Sequence, residues 1–114
     1  MVKIYHNSRC GKSRTALKRL IEVGLEVEVI EYLKTPLDKT QLEVLVMALG
    51  IAPYDLIRRG EKIFKEHYKA AHSDTVDWLQ AMVDHPVLIE RPIIQKGGLT
   101  VIGRSPESIQ KILN

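Results

Sequence analysis

"VKIYHNSRCGKSRTALKRLIEVG", residues Val2 to Gly24, contains a change of period that decides the fold. "VKIYHN" alternates apolar residues and ends in a turn former, which reads as a short buried strand. "SRTALKRLIEVG" then places Leu17, Leu20 and Ile21 on one helical face, with Gly24 as a stop signal. Next, "VEVIEYL" (Val27 to Leu33) is rich in β-branched residues and reads as a second strand. Strand, helix, strand in this order favours a right-handed crossover between parallel strands.

Further along, the period turns helical. "DKTQLEVLVMALG" has Asp38 as an N-cap and Gln41 three residues on, the pattern of a capping box. Leu42, Leu45, Val46 and Leu49 form its apolar stripe, ended by Gly50. "PYDLIRRG" reads as a short helix with Pro53 in its first turn and Gly60 at its end. "EKIFKEHYKA" and "SDTVDWLQAMVDH" read as two more helices, the second capped by Ser73 or Asp74 and stopping before Pro86. The last third returns to strands. "PIIQ" and "LTVI" flank a Lys96-Gly97-Gly98 turn, a hairpin signal. "SPESIQKILN" has Ser105 as N-cap, Pro106 at the first helical position, and Ile109, Ile112 and Leu113 as a closing stripe. The order βαβ, helices, ββα predicts an α/β chain. Its two ends are the halves of a thioredoxin-like fold, with a helical insertion over about residues 38–85.

At 114 residues the chain fits one domain, long enough to bury a core without disulfides or a structural metal. Trp78 and Phe64 are the large pure-aromatic anchors, so the core should be mainly Leu, Ile and Val. The net charge of +3 is too mild, and the Lys/Arg runs too short, to argue for direct nucleic-acid binding. There is no apolar run near the length of a membrane span and no signal-like start. A single cysteine cannot form an internal disulfide, which fits a reducing, cytoplasmic setting. The four histidines, His6, His67, His72 and His85, show no metal-ligand spacing with that cysteine.

The cysteine, Cys10, falls where the first strand gives way to the first helix. Three motifs fail there. A phosphate-binding P-loop needs glycine where His6 stands; a phosphatase loop needs arginine where Ala16 stands; a C-x-x-C pair needs cysteine where Ser13 stands. What is left is a lone thiol at a helix N-terminus, where free N–H groups and partial positive charge favour anions. Arg9, Lys12 and Arg14 add positive charge, and Ser13 offers a hydroxyl to a thiolate or an oxyanion. A free cysteine is otherwise a small core residue; the polar, glycine-containing flank favours the reactive reading. His6, read alone, is a strand-end histidine satisfied by backbone.

"YHNSRCGKSR" resembles the H-N-x-x-C-x-x-S-R signature of the glutaredoxin-coupled arsenate reductases, the ArsC family. "EYLKTPL", "LIRRGE", "HPVLIERPII" and "IGRSPE" resemble further segments of that family, in the same order along nearly the whole chain. The resemblance implies Cys10 as nucleophile and Arg58, Arg91 and Arg104 as the arginines that hold arsenate, with Arg59 as the alternative to Arg58. His6, Gly11, Lys12, Ser13 and Arg14 match the flanking signature. Pro92 matches the proline that is cis in thioredoxin-like folds and faces the cysteine. A guanidinium suits this task, since it makes two-point hydrogen bonds to a tetrahedral dianion.

The resemblance also implies a route in which Cys10 forms an adduct with arsenate, glutathione reduces it, and glutaredoxin restores the thiol. No bound cofactor or metal is implied, and a monomer is expected. Two other readings stand beside this one. Spx-type regulators, which contact RNA polymerase, resemble the same fold, but most carry C-x-x-C where this chain has Ser13. The other is a glutathione-dependent reductase of a different substrate.

Overall fold

The computed structural model describes residues 1–70 and 74–113. His72 and the candidate cap Ser73 lie outside the described residues. The elements are β1 (Val2–Tyr5), α1 (Gly11–Glu22), β2 (Val27–Ile30), α2 (Lys39–Leu49), α3 (Lys62–His67), α4 (Trp78–Asp84), β3 (Ile93–Lys96), β4 (Leu99–Ile102) and α5 (Pro106–Leu113). Short 3-10 turns cover Pro53–Leu56 and Pro86–Leu88. The chain divides into two compact units: residues 1–35 with the chain from Arg91 onward, and residues 36–90.

The first unit holds one four-stranded sheet in the order β2-β1-β3-β4. β1 and β2 run parallel, while β3 is antiparallel to both β1 and β4. These are the βαβ and ββα halves expected for a thioredoxin-like fold. Val2 and Ile4 alternate onto one face of β1. There they join Ala16 and Leu20 of α1, Ile94 of β3, and Ile109 and Ile112 of α5 in one core cluster. Burying a Leu or Ile side chain contributes roughly 1.5–3 kcal/mol, so this cluster is what seats both helices on the sheet. The stripe of α1 is rotated from the one expected: Ala16 and Leu20 are buried, Leu17 is half-buried, and Ile21 is 59% exposed. The second strand is also shorter than expected. After Ile30 the chain turns, with the N–H groups of Lys34 and Thr35 donating to the Glu31 carbonyl, and Tyr32 is buried in that turn.

Register fixes which loops meet. Tyr5 pairs with both Ile30 and Ile93, and Ile93 pairs with Ile102. The segments that follow β1, β2 and β4, and the one that precedes β3, therefore emerge at one end of the sheet. The ladder is prolonged there by Gly103 N–H donating to the Pro92 carbonyl at 2.7 Å. The opposite end carries the Gly97-Gly98 turn, in which Gly97 has φ 58°, a left-handed conformation that favours glycine.

In the second unit α2 carries the expected capping box. The Asp38 carboxylate accepts from Gln41 N–H at 2.8 Å, and the Gln41 side chain accepts from Asp38 N–H at 2.9 Å. Gly50 closes the helix at φ 71°. Leu42, Leu45 and Val46 are buried. Two expectations are corrected. "PYDLIRRG" does not remain helical to Gly60, because Ile57 leaves the turn to bridge antiparallel to Ile89. The helix of "SDTVDWLQAMVDH" starts later, with Asp77 as its cap rather than Ser73 or Asp74, accepting from Gln80 N–H at 3.1 Å. Asp77 is also paired with Lys39 at 2.5 Å, and Phe64 and Trp78 stack with ring centroids 5.9 Å apart.

Candidate active site

Cys10 is the N-cap of α1, with extended backbone (φ −95°, ψ 122°) and a half-buried side chain that caps nothing. Its own N–H donates to the Asn7 carbonyl at 3.0 Å. The first bond inside the helix runs from Arg14 N–H to the Cys10 carbonyl, also 3.0 Å. The N–H groups of Gly11, Lys12 and Ser13 therefore face out of the helix end with no intrahelical partner. No acidic residue stands in the first turn to offset the positive end of the helix. A thiolate or an oxyanion at Cys10 meets favourable potential from the backbone itself.

The loop that delivers Cys10 is held from below. Ser13 is fully buried, and its hydroxyl lies 2.6 Å from His6 Nδ1 while accepting from Asn7 N–H at 3.1 Å. Asn7 in turn accepts Arg9 N–H on its side-chain oxygen, 3.0 Å. The Arg14 guanidinium donates to the Ser8 carbonyl at 3.0 Å, closing the loop over Gly11. Ser13 is thus turned inward, where it shapes the loop. His6 is 5% exposed. Burial holds its pKa below the ordinary histidine range; Glu31 opposes this and Arg14 adds to it. At neutral pH His6 is an uncharged hydrogen-bonding partner of Ser13. Positive potential at Cys10 comes from the helix end and from cationic side chains.

One hollow in the first unit is lined by Cys10, Gly11, Lys12 and Thr15 of α1 together with Gly103, Arg104, Ser105 and Pro106. Two helix N-termini open onto it, since Ser105 precedes α5 and its hydroxyl accepts from Ser108 N–H at 3.1 Å. Arg104 sits in the connection between β4 and α5 and is exposed. Arg91 is half-buried and precedes Pro92 in a cis peptide bond, as expected. The bond from Gly103 to Pro92 ties these two segments together, so Arg91 and Arg104 flank the open end of one hairpin. Gly103 is buried because a Cβ there would lie 2.5 Å from Ile94 Cδ1 and 3.4 Å from Pro92 Cγ.

Arg58 belongs to the second unit. Its guanidinium pairs with Glu61 through Nη1 and with Glu90 through Nε, the latter at 3.4 Å. Arg59 lies over the Tyr54 ring, 4.5 Å from its centroid. Sequence reasoning did not foresee the two carboxylates around Arg58. Glu61 carries a local signal, three residues on, but Glu90 meets Arg58 only through the bridge between Ile57 and Ile89. Among the described residues no group of acidic, histidine or cysteine side chains is arranged to hold a metal ion. No helix among them is long and apolar enough to cross a membrane.

The ArsC family model matches residues 5–112. The chain is 46% identical to an Escherichia coli K12 protein named uncharacterized protein YfgD, over 98% of this chain and 96% of that one. It is 40% identical to an arsenate reductase of Neisseria meningitidis, over 98% and 97% of the two chains. Among solved structures, an arsenate reductase from Vibrio cholerae superposes with a TM-score of 0.87 at 38% identity, covering 97% of this chain and 96% of that one. A single-cysteine thioredoxin-like fold with its thiol at a helix N-terminus defines the class. The chain belongs to the ArsC family.

Proposed function

We propose that this protein is an arsenate reductase that takes its electrons from glutathione and is recycled by glutaredoxin in the cytoplasm. The observation that carries this reading is the hollow in which Cys10, Lys12, Arg104 and two helix N-termini converge. Relatives named arsenate reductases at 35–40% identity support the substrate. A tetrahedral dianion suits such a site, because Lys12, Arg104 and the helix N-termini offer it cations and donors, beside the apolar Pro106 and Ile109.

The chemistry follows from the single thiol. The Cys10 thiolate attacks arsenic(V) and an oxygen leaves as water, giving a sulfur–arsenic bond. The open N–H groups of α1, with Lys12 and Arg104, stabilise the charge on the remaining oxygens. Arg58 and Arg91 complete the oxyanion set in this reading. With Ser13 buried where a second cysteine would stand, the chain holds no internal thiol to finish the reaction. The glutathione thiolate attacks the Cys10 sulfur, and the electron pair of the sulfur–arsenic bond stays on arsenic. Arsenite leaves and Cys10 carries glutathione in a mixed disulfide. A glutaredoxin thiolate then attacks the glutathione sulfur and frees Cys10. Each turnover consumes two external thiol equivalents and releases one water.

The test is NADPH consumption in the presence of arsenate, glutathione, glutaredoxin and glutathione reductase. Wild-type protein turns over and Cys10→Ser does not. Mass spectrometry during turnover finds glutathione on Cys10. Repeated turnover without any added thiol, or full activity in Cys10→Ser, overturns the mechanism.

A further inference from the structure

The hollow around Cys10 continues past its own rim. Thr15, Pro106 and Ile109 line it, and the same three residues line a second hollow that ends at Arg19 and Gln110. The two form one trough within the first unit, with α1 as one wall and α5 as the other. Sequence spacing explains its course. Lys12, Thr15 and Arg19 share one face of α1, three and four residues apart, as Pro106, Ile109 and Gln110 do on α5. Beneath them Ala16, Leu20, Ile109 and Ile112 seat both helices on the sheet. The end at Cys10 has about 530 Å³ and the end at Arg19 about 230 Å³, so the trough is of small-ligand size.

The trough opens at a thiol and closes at a cation. Arg19 is exposed in the last turn of α1. Glu22, three residues on, pairs with Lys18 at 3.9 Å, and Arg19 has no ion-pair partner among the described residues. No acidic residue lines either part of the trough. Other hollows on this unit each hold one: Glu31 with His6, Glu22 with Ile21, and Glu107 with Lys111. Length agrees with charge. Nine residues of helical rise put the Cα atoms of Cys10 and Arg19 about 13 Å apart, and a helical side chain leans back toward the N-terminus. An extended tripeptide covers about 10 Å.

We infer that this trough is the glutathione subsite, with the peptide's thiol at Cys10 and its glycine carboxylate held by Arg19. This rests on the reading of glutathione as the electron donor. The choice of arm follows from charge. The glycine arm ends in a carboxylate alone, whereas the γ-glutamyl arm also carries an ammonium group, and a trough without acids has nothing to pair with it. From this position the glutathione thiolate bonds to the Cys10 sulfur as the sulfur–arsenic bond breaks, with that bond's electron pair staying on arsenic. Arg19 takes no part in the bond changes. It holds the donor in place through a charge-assisted hydrogen bond.

The experiment is a single turnover with arsenate and no glutaredoxin, in which arsenite release is followed at rising glutathione. Arg19→Ala raises the half-saturating glutathione concentration about tenfold, the loss of one charge-assisted hydrogen bond, and leaves the maximal rate near that of wild type. Glutathione monoethyl ester, whose glycine carboxylate is blocked, suffers about the same loss on wild type and no further loss on Arg19→Ala. Lys18→Ala removes a positive charge from the adjacent position of α1 and leaves half-saturation unchanged. No arsenite from wild type with glutathione overturns the reading of the electron donor, and this inference with it. Arsenite release with unchanged half-saturation in Arg19→Ala overturns only the inference. An equal loss in Lys18→Ala also overturns it, since net charge rather than the trough is then what counts. So does an ester penalty that persists in Arg19→Ala, because the glycine carboxylate is then held elsewhere.

Discussion

A buried histidine that stays neutral makes stability depend on pH in a definite direction. Unfolded, His6 titrates near about 6.5; folded, burial lowers that value. Between the two values the unfolded chain binds more protons, so stability falls as pH drops below about 6.5. Chemical denaturation at pH 7.5 and pH 5.5 should show this loss in wild type and less of it in His6→Gln. A wild-type loss matched by the variant counts against His6 as its source. Gly103 shows the other kind of residue-scale constraint. A Cβ there presses on Ile94 and the ring of Pro92, and overpacking of this kind costs about 1–3 kcal/mol. Gly103→Ala should lower the melting temperature, and it should also lower activity, because Arg104 is the next residue. Unchanged melting would mean the Ile94 side chain swings aside freely. The sequence marks Cys10 plainly, as the one thiol at a change of period. It does not mark the contact between His6 and Ser13, because the loop between them doubles back and no pattern encodes that bend.

At the scale of elements, local chemistry set some boundaries and distant partners set others. α2 begins and ends where its capping box and Gly50 place it, and both signals lie within the helix's own stretch. The expected cap of α4 was Ser73 or Asp74; its cap is Asp77, which also reaches Lys39 across 38 residues. Asp77 is held below the usual carboxylate range, first by the Lys39 side chain and then by the backbone N–H of Gln80. This stabilisation is present above the unfolded value of about 3.9 and is lost as pH falls through the lower folded value. Asp77→Ala should cost about 1 kcal/mol as a lost cap. Asp77→Asn, which keeps the cap but not the charge, should cost less and should flatten the acid limb of the stability curve. Equal losses in the two variants would assign the effect to the ion pair instead. The expected helix through Arg58 failed for a similar non-local reason. Ile57 finds Ile89, more than thirty residues away, and pairs as a strand does.

Over the whole molecule, the order of elements was enough to read the thioredoxin-like plan, because periods of two and near four alternate cleanly along the chain. The register was not legible, and it is the register that brings the segments after β1, before β3 and after β4 to one end of the sheet. That arrangement has a practical corollary at the other end. Val2 pairs with Lys96, so the amino end of β1 lies beside the exposed Gly97-Gly98 turn. Neither belongs to the hollow around Cys10. Loop tips with small exposed residues are where insertions are best tolerated. A reporter domain spliced between Gly97 and Gly98 should fold in place and leave arsenate turnover within about twofold of the parent chain. The same graft between Gly103 and Arg104 should abolish it. The sheet of the first unit thus offers one end for attachment to surfaces, dyes or sensors, away from the hollow around Cys10.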